Sequence, residues 1–258
     1  MGKLSAIGRI FYGIVIAGMG LLTIHYNEFP YMLLPPENYV IPGFVMLTFG
    51  TLLILAGACI VFQFKTSPVS FLLGCILLLI FLFFHIPYEF MVNSNYKHLV
   101  EWENAEKELA LAGGAFLIAG CFSTQNENPF ERIWQRLMPF GAILFSIPII
   151  SFGILHFLYT KEASTLVPSW IPGPIFWTYF AGVALIGSGI AIILKIRTGL
   201  IAALLGTMIF IWFVIIHIPR VIAAPVTDLS GEIASAFLAL VYSGIALVIA
   251  GAPKKVVI

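Results

Sequence analysis

Four histidines are the residues of this sequence best placed to do chemistry. The tripeptide His-Ile-Pro follows two long apolar runs, with its histidine at His85 and, 132 residues later, at His217. His25 and His156 follow two further apolar runs. An imidazole at the edge of a hydrophobic segment can ligate a metal or haem, or hydrogen-bond a quinone head group. It can equally end a helix by binding the free carbonyl groups of the last turn. Both interpretations stay open from the residues alone.

The composition places these histidines in a membrane protein. Of the 258 residues, 60% are hydrophobic and 10% are charged, whereas a soluble domain carries about 25% charged residues. We predict an all-α, polytopic membrane protein with eight transmembrane helices, each near the length of about 20 residues that crosses a bilayer. Apart from Arg9, Lys107 and Glu108, in the first two residues of two of them, these helices hold no Asp, Glu, Lys or Arg, and we therefore expect no proton relay. The predicted helices are 8–26, 42–63, 68–86, 107–122, 138–157, 174–194, 199–217 and 233–251.

The chain aligns with itself at an offset of 130 to 132 residues. The offset pairs His25 with His156, Lys65 with Arg197, Gly74 with Gly206, His85 with His217 and Gly120 with Gly251. We therefore predict two four-helix units, 1–127 and 128–258. Because four crossings return the chain to its starting side, the two units run parallel, related by an axis along the membrane normal.

The distribution of positive charge predicts the orientation. With the N-terminus inside, the predicted inner segments hold nine of the 13 Lys and Arg residues. The positive-inside rule then places both termini in the cytoplasm. All four histidines would lie at one depth near the outer surface, and Pro87 and Pro219 would end their helices at the preceding histidines.

The second unit carries further candidate ligand-binding residues. Arg220 follows the second His-Ile-Pro, where its guanidinium can bind a carboxylate, a phosphate or a polar head group, or simply anchor the helix among lipid head groups. Trp177 and Tyr179 follow a proline-rich segment, VPSWIPGP, that can roof a cavity over the histidines or form part of an interfacial aromatic belt. The candidate cofactor-binding residues are thus His25, His85, His156, His217, Arg220, Trp177 and Tyr179.

Several classes of site are not indicated. No metal-binding spacing such as HxxxH or HExxH occurs, so we predict no metal site. Cys59, Cys75 and Cys121 form no CxxC pair, which argues against thiol–disulfide oxidase chemistry. No basic patch for nucleic acid and no nucleophile elbow is present, so no catalytic residue is identified and the sequence leaves open whether the protein is an enzyme.

A set of short motifs is distributed over both halves of the chain. The set consists of Arg9-Ile10-Phe11-Tyr12, His25 closing the first span, PSWIPG before Trp177-Thr178-Tyr179, a basic inner turn, the His-Ile-Pro end of the third span, and KELALAGGA at 107–115. Together these motifs resemble the DoxX family of four-helix membrane proteins. The first half has no counterpart of Trp177 or of Arg220. The second half reads GEIASAFLAL where the first has the KELALAGG motif.

The resemblance implies a quinone-linked accessory or small subunit of a membrane oxidoreductase complex in the bacterial cytoplasmic (inner) membrane. A quinone would be the ligand, with haem held by paired histidines as the second choice, and a redox partner protein would exchange the electrons. The other class of function is a non-catalytic scaffold, or a binding protein or conduit for a neutral or lipid-like molecule. The lipid bilayer is the partner in either case.

Overall fold

The computed structural model describes residues 2–35, 41–122 and 139–253, and regular secondary structure in these ranges is entirely helical. The boundary expected between residues 127 and 128 and the last five residues fall outside them. The described residues form eight long helices: α1 (Lys3–Tyr26), α2 (Gly43–Val61), α3 (Thr66–Met91), α4 (Glu103–Cys121), α5 (Phe140–Leu158), α6 (Pro174–Ile193), α7 (Thr198–Ala223) and α8 (Leu229–Gly251). A 3₁₀ turn (Leu99–Trp102) precedes α4, and a short helix (Thr160–Ser164) follows α5.

Seven of these described helices are long and apolar enough to cross a membrane. The chain is therefore an all-helical protein of the multi-pass membrane type. The remaining long helix, α4, differs because four of its first six residues are charged: Glu103, Glu106, Lys107 and Glu108.

Helices α4 and α8 form the centre of the molecule. Every residue from Glu108 to Gly120 in α4 and from Val241 to Ile249 in α8 is buried. Helix α1 packs on α2 and α8, and α5 packs in the same way on α6 and α4. Helix α3 packs on α4, and α7 packs on α8. The first and fourth helices of each half thus join the two halves.

Glycines allow close helix contact between the halves. A Cβ atom placed on Gly113 of α4 would lie 2.6 Å from the carbonyl oxygen of Gly141 of α5, and the reverse distance is the same. Gly8 of α1 and Gly244 of α8 face each other in a similar way. Small residues at such crossings let backbones approach in lipid, where helix association depends on packing.

Helices α3 and α7 each contain a π-helical turn, at Phe81–His85 and Phe213–His217. In each, the N–H group of the next isoleucine, Ile86 or Ile218, donates to the carbonyl of the first residue of the turn. This bond spans five residues, whereas a regular α-helical bond spans four. Both candidate histidines of the His-Ile-Pro motif are therefore the last residues of π turns.

The helices do not end at these histidines. Pro87 and Pro219 follow the π turns, and the helices continue to Met91 and Ala223. A proline inside a regular α-helix clashes with the carbonyl four residues earlier and supplies no N–H group. The wider turn accommodates the ring, and the prediction that proline stops the helix is wrong.

The turns before α3 and α7 share an unusual backbone. Lys65 and Arg197, each the residue before its helix, have left-handed conformations with φ of 45° and 42°. Gln63 and Lys195 have positive φ as well. Such values are uncommon outside glycine, and the two turns occupy the positions that the sequence offset pairs.

A charged side chain lies in the protein interior at the start of α1. Arg9 is buried there, and it donates hydrogen bonds to the carbonyl groups of Ile60 and Val61 at the end of α2, the latter at 2.6 Å. Its guanidinium also lies 5.6 Å from the ring centroid of Phe122. Arg9 therefore binds carbonyl groups that the end of a helix leaves free.

Two acidic side chains are buried as well. Glu89, near the end of α3, accepts a hydrogen bond of 2.7 Å from the amide of Asn93. Glu108 of α4 is fully buried, and neither of its carboxyl oxygens has a hydrogen-bond partner among the described residues. Glu108 follows other charged residues at the start of this helix, a pattern typical of a face exposed to water. The packing of α4 at the centre of the molecule buries Glu108 instead.

Candidate functional site

A cavity of about 920 Å³ lies between α6 and α7 in the second half of the chain. Its walls are mainly apolar and include Phe180 of α6 and Leu205, Met208 and Ile211 of α7. This volume falls within the range of about 300–1,000 Å³ that is typical of small-molecule sites. The cavity is therefore large enough for an aromatic ring with part of a hydrocarbon tail.

Two of the candidate histidines line this cavity together. His156 comes from the last turn of α5, and His217 from the π turn of α7. Both side chains are partly buried. The sequence offset pairs these residues with His25 and His85, and the structure brings together the two that belong to the second half.

The ring of His156 is held in place by two contacts. Its Nδ1 atom lies 2.7 Å from the carbonyl oxygen of Phe152, one turn earlier in the same helix. The ring also stacks on Trp212 of α7, with 6.3 Å between centroids. Trp212 lines the cavity too, and the sequence analysis missed it. Trp212 lies five residues before His217 in the sequence, and this spacing could have indicated that both residues face the cavity.

His217 has a different environment. Its Nδ1 atom is buried and has no hydrogen-bond partner in the part of the chain that the structure describes. A buried polar atom without a partner costs free energy. The π turn that carries this histidine also belongs to a class of local distortion often found at functional sites.

The loop between α5 and α6 covers the cavity. Leu166, Pro168 and Trp170 of this loop line it, as does Trp177 in the first turn of α6. The proline-rich segment expected to roof the histidines therefore contributes directly to the cavity wall.

The other candidates lie elsewhere. Arg220 is outside the cavity lining and pairs with Glu232 of α8, through both its Nε atom (2.8 Å) and its Nη2 atom. Tyr179 is also absent from the lining and stacks on Phe157, with 5.4 Å between centroids. His25 is exposed in the last turn of α1.

His85, the fourth histidine, is fully buried in the first half. Neither of its ring nitrogens has a hydrogen bond of ordinary geometry within the described ranges, although the backbone of Met32 lies close to the ring. Met32 and Leu33 are themselves buried in the core. The segment after α1 is thus packed into the protein, whereas the segment after α5 covers an open space.

The described residues contain no group of three or more His, Cys, Asp or Glu side chains that could hold a metal ion. No model of a protein family, no curated protein and no solved structure matches the sequence. The function is therefore inferred from the cavity and the residues that line it.

Proposed function

We propose that this protein binds a quinone-type molecule from the bilayer in the cavity between α6 and α7. The single observation that carries the proposal is an apolar cavity of about 920 Å³ with two histidines in its wall. The apolar walls suit a substituted ring and the start of an isoprenoid tail. His156 and His217 supply polar groups for the ring oxygens.

The proposed role is that of a quinone-linked accessory subunit of a membrane oxidoreductase, as the resemblance to DoxX implies. No Asp, Glu, Lys, Arg or Cys side chain is among the described residues that line the cavity. The chain would therefore bind and position the quinone, and a partner protein would supply or take the electrons. Haem, held by the two histidines, is the second choice of ligand.

The proposed topology has eight transmembrane helices in two parallel repeats, with α4 as the additional span. Three parallels between the halves support it: the π turns, the left-handed residues before α3 and α7, and the matching helix pairs. Helix α4 has 19 residues, a length of about 28 Å. The distribution of Lys and Arg supports cytoplasmic termini, and the resemblance to DoxX implies the cytoplasmic membrane of a bacterium as the location.

Binding to the purified protein tests the proposal. The protein is placed in lipid nanodiscs and titrated with a decyl-chain quinone, and the fluorescence of Trp177 and Trp212 in the cavity is followed. We expect saturable quenching, weakened at least tenfold by His217→Ala. His25→Ala, a histidine outside the cavity, is the matched control and should bind like the wild type.

The alternative function has its own outcome. If the quinone does not quench and mass spectrometry of the gently purified protein shows one tightly held phospholipid, the proposal fails and the protein is a binding protein or conduit for lipid-like molecules. Equal quinone affinity in the wild type and in His217→Ala would also contradict the proposed site.

A further inference from the structure

We infer that the cavity selects the reduced, hydroxyl-bearing form of its ligand, a hydroquinone, over the quinone. In this arrangement a ligand hydroxyl donates to Nε2 of His156, and another ligand oxygen accepts a hydrogen bond from Nε2–H of His217. The inference rests on the proposed function and adds the chemical form of the ligand and the role of each histidine.

The hydrogen bond of His156 determines which of its nitrogens carries the proton. The carbonyl oxygen of Phe152 can only accept, so Nδ1 of His156, at 2.7 Å, must be the donor. In a neutral imidazole the other nitrogen, Nε2, then has a lone pair and no hydrogen. The stacking on Trp212 holds the ring in this orientation. His156 therefore presents an acceptor to the cavity.

His217 has the opposite arrangement. Its Nδ1 atom is buried without a partner in the described ranges, whereas its Nε2 atom is not among the buried unpaired atoms. Buried backbone N–H groups are left without a partner more rarely than carbonyl groups are. Applied to the imidazole, the same cost assigns the proton to Nε2, where a ligand in the cavity can accept it, and makes His217 the donor of the pair.

The remaining polar groups of the lining do not reverse this selection. Thr178 and Thr207 donate their hydroxyl hydrogens to carbonyl groups of their own helices, so towards a ligand their oxygens act as acceptors and favour the same hydroxyl-bearing form. The Ser188 hydroxyl can donate or accept, and the indole N–H groups of Trp170, Trp177 and Trp212 can donate to an oxygen of either redox form. The acceptor on His156 discriminates because a quinone has no hydrogen to donate to it and a hydroquinone does.

A comparison of three ligands tests the inference. A decyl-chain hydroquinone, the matching quinone and the hydroquinone dimethyl ether, which lacks the O–H donor, are titrated anaerobically into the protein in nanodiscs. We expect the hydroquinone to bind about tenfold more tightly than the other two, the effect of one hydrogen bond and its unpaired partner. Equal affinities of the hydroquinone and its ether for the wild type would overturn the inference without any variant.

Two variants separate the roles of the histidines. His156→Phe keeps an aromatic ring against Trp212 but removes the imidazole acceptor, so the preference for hydroquinone should fall to about twofold or less while the affinity for quinone stays within about twofold. His217→Phe should weaken both forms equally, since both accept a hydrogen bond. A preference that persists in His156→Phe would contradict the inference. If none of the three ligands binds the wild type, the proposed function itself fails, and the inference with it.

Discussion

His85 and His217 each end a π-helical turn that is followed by isoleucine and proline, but only His217 lines an open cavity. His85 is fully buried, with the backbone of Met32 close to its ring. The same local sequence therefore gives the same helix geometry in both halves, and the preceding loops decide whether the histidine can be reached. The second half is the one that can accept a ligand.

The proline after each π turn provides the first prediction. Replacing Pro219 by alanine restores an N–H group and removes the clash that the wide turn accommodates. We expect α7 to relax into a regular α-helix, which shifts the residues before and after the turn by about 100° relative to each other. His217 would leave the cavity wall, so quinone and hydroquinone affinity should fall at least tenfold in the fluorescence titration.

Pro87→Ala is the matched control for this change. It should alter the same turn in α3 but leave ligand affinity within about twofold, because His85 is not among the residues that line the cavity. Equal loss of affinity in both variants would indicate a general effect on folding, and unchanged affinity in Pro219→Ala would show that the π turn does not position His217.

The glycine contact between α4 and α5 gives the second prediction. A methyl group at Gly113 would lie 2.6 Å from the carbonyl oxygen of Gly141, so Gly113→Ala must push the two helices apart. We expect a loss of about 1–3 kcal/mol in the free energy of unfolding, measured as a lower melting temperature in detergent. Gly187→Ala is the control, since no atom lies within 4 Å of its added methyl group. It should be neutral or stabilising.

Much of the helical framework follows from apolar stretches in the sequence. Helix α2 was predicted at 42–63 and runs from Gly43 to Val61, and α6 was predicted at 174–194 and runs from Pro174 to Ile193. These bounds are predictable because a run of apolar residues between polar turns forms a helix of defined length in a membrane. His156 and His217, near the ends of the fifth and seventh predicted helices, lie in one cavity wall.

The distortions and the burial were not predictable in this way. Pro87 indicates a helix end by local rules, but a proline can also stay within a helix when the turn before it widens. Glu108 follows charged residues that suggest a water-exposed face, and its burial depends on which helices surround α4. The fit of Met32 and Leu33 beside His85 depends on the path of a loop, which has no periodic pattern to indicate it.

The ion pair at the end of α7 gives a third prediction, and it distinguishes a structural from a binding role for Arg220. The Nε and Nη2 atoms of Arg220 both donate to the carboxylate of Glu232, so little of the guanidinium is free for a ligand. Arg220→Gln should leave hydroquinone affinity within about twofold and reduce the free energy of unfolding by about 0.2–1 kcal/mol, as for other solvent-accessible pairs. Glu232→Gln should give the same small loss. A tenfold drop in affinity for Arg220→Gln alone would place the guanidinium in the binding site.

The buried carboxyl group of Glu108 gives the last prediction. A polar group buried without a partner destabilises a protein by about 1–3 kcal/mol, and both oxygens of Glu108 lack partners among the described residues. Glu108→Met, of similar volume, should therefore raise the melting temperature in detergent, while Glu108→Gln keeps a polar group there and should raise it less. The exposed Glu28→Gln should change nothing. A lower melting temperature for Glu108→Met would mean that the carboxyl group has a partner beyond the described side chains, such as a bound cation or water, and would make the centre of the molecule a second site to investigate.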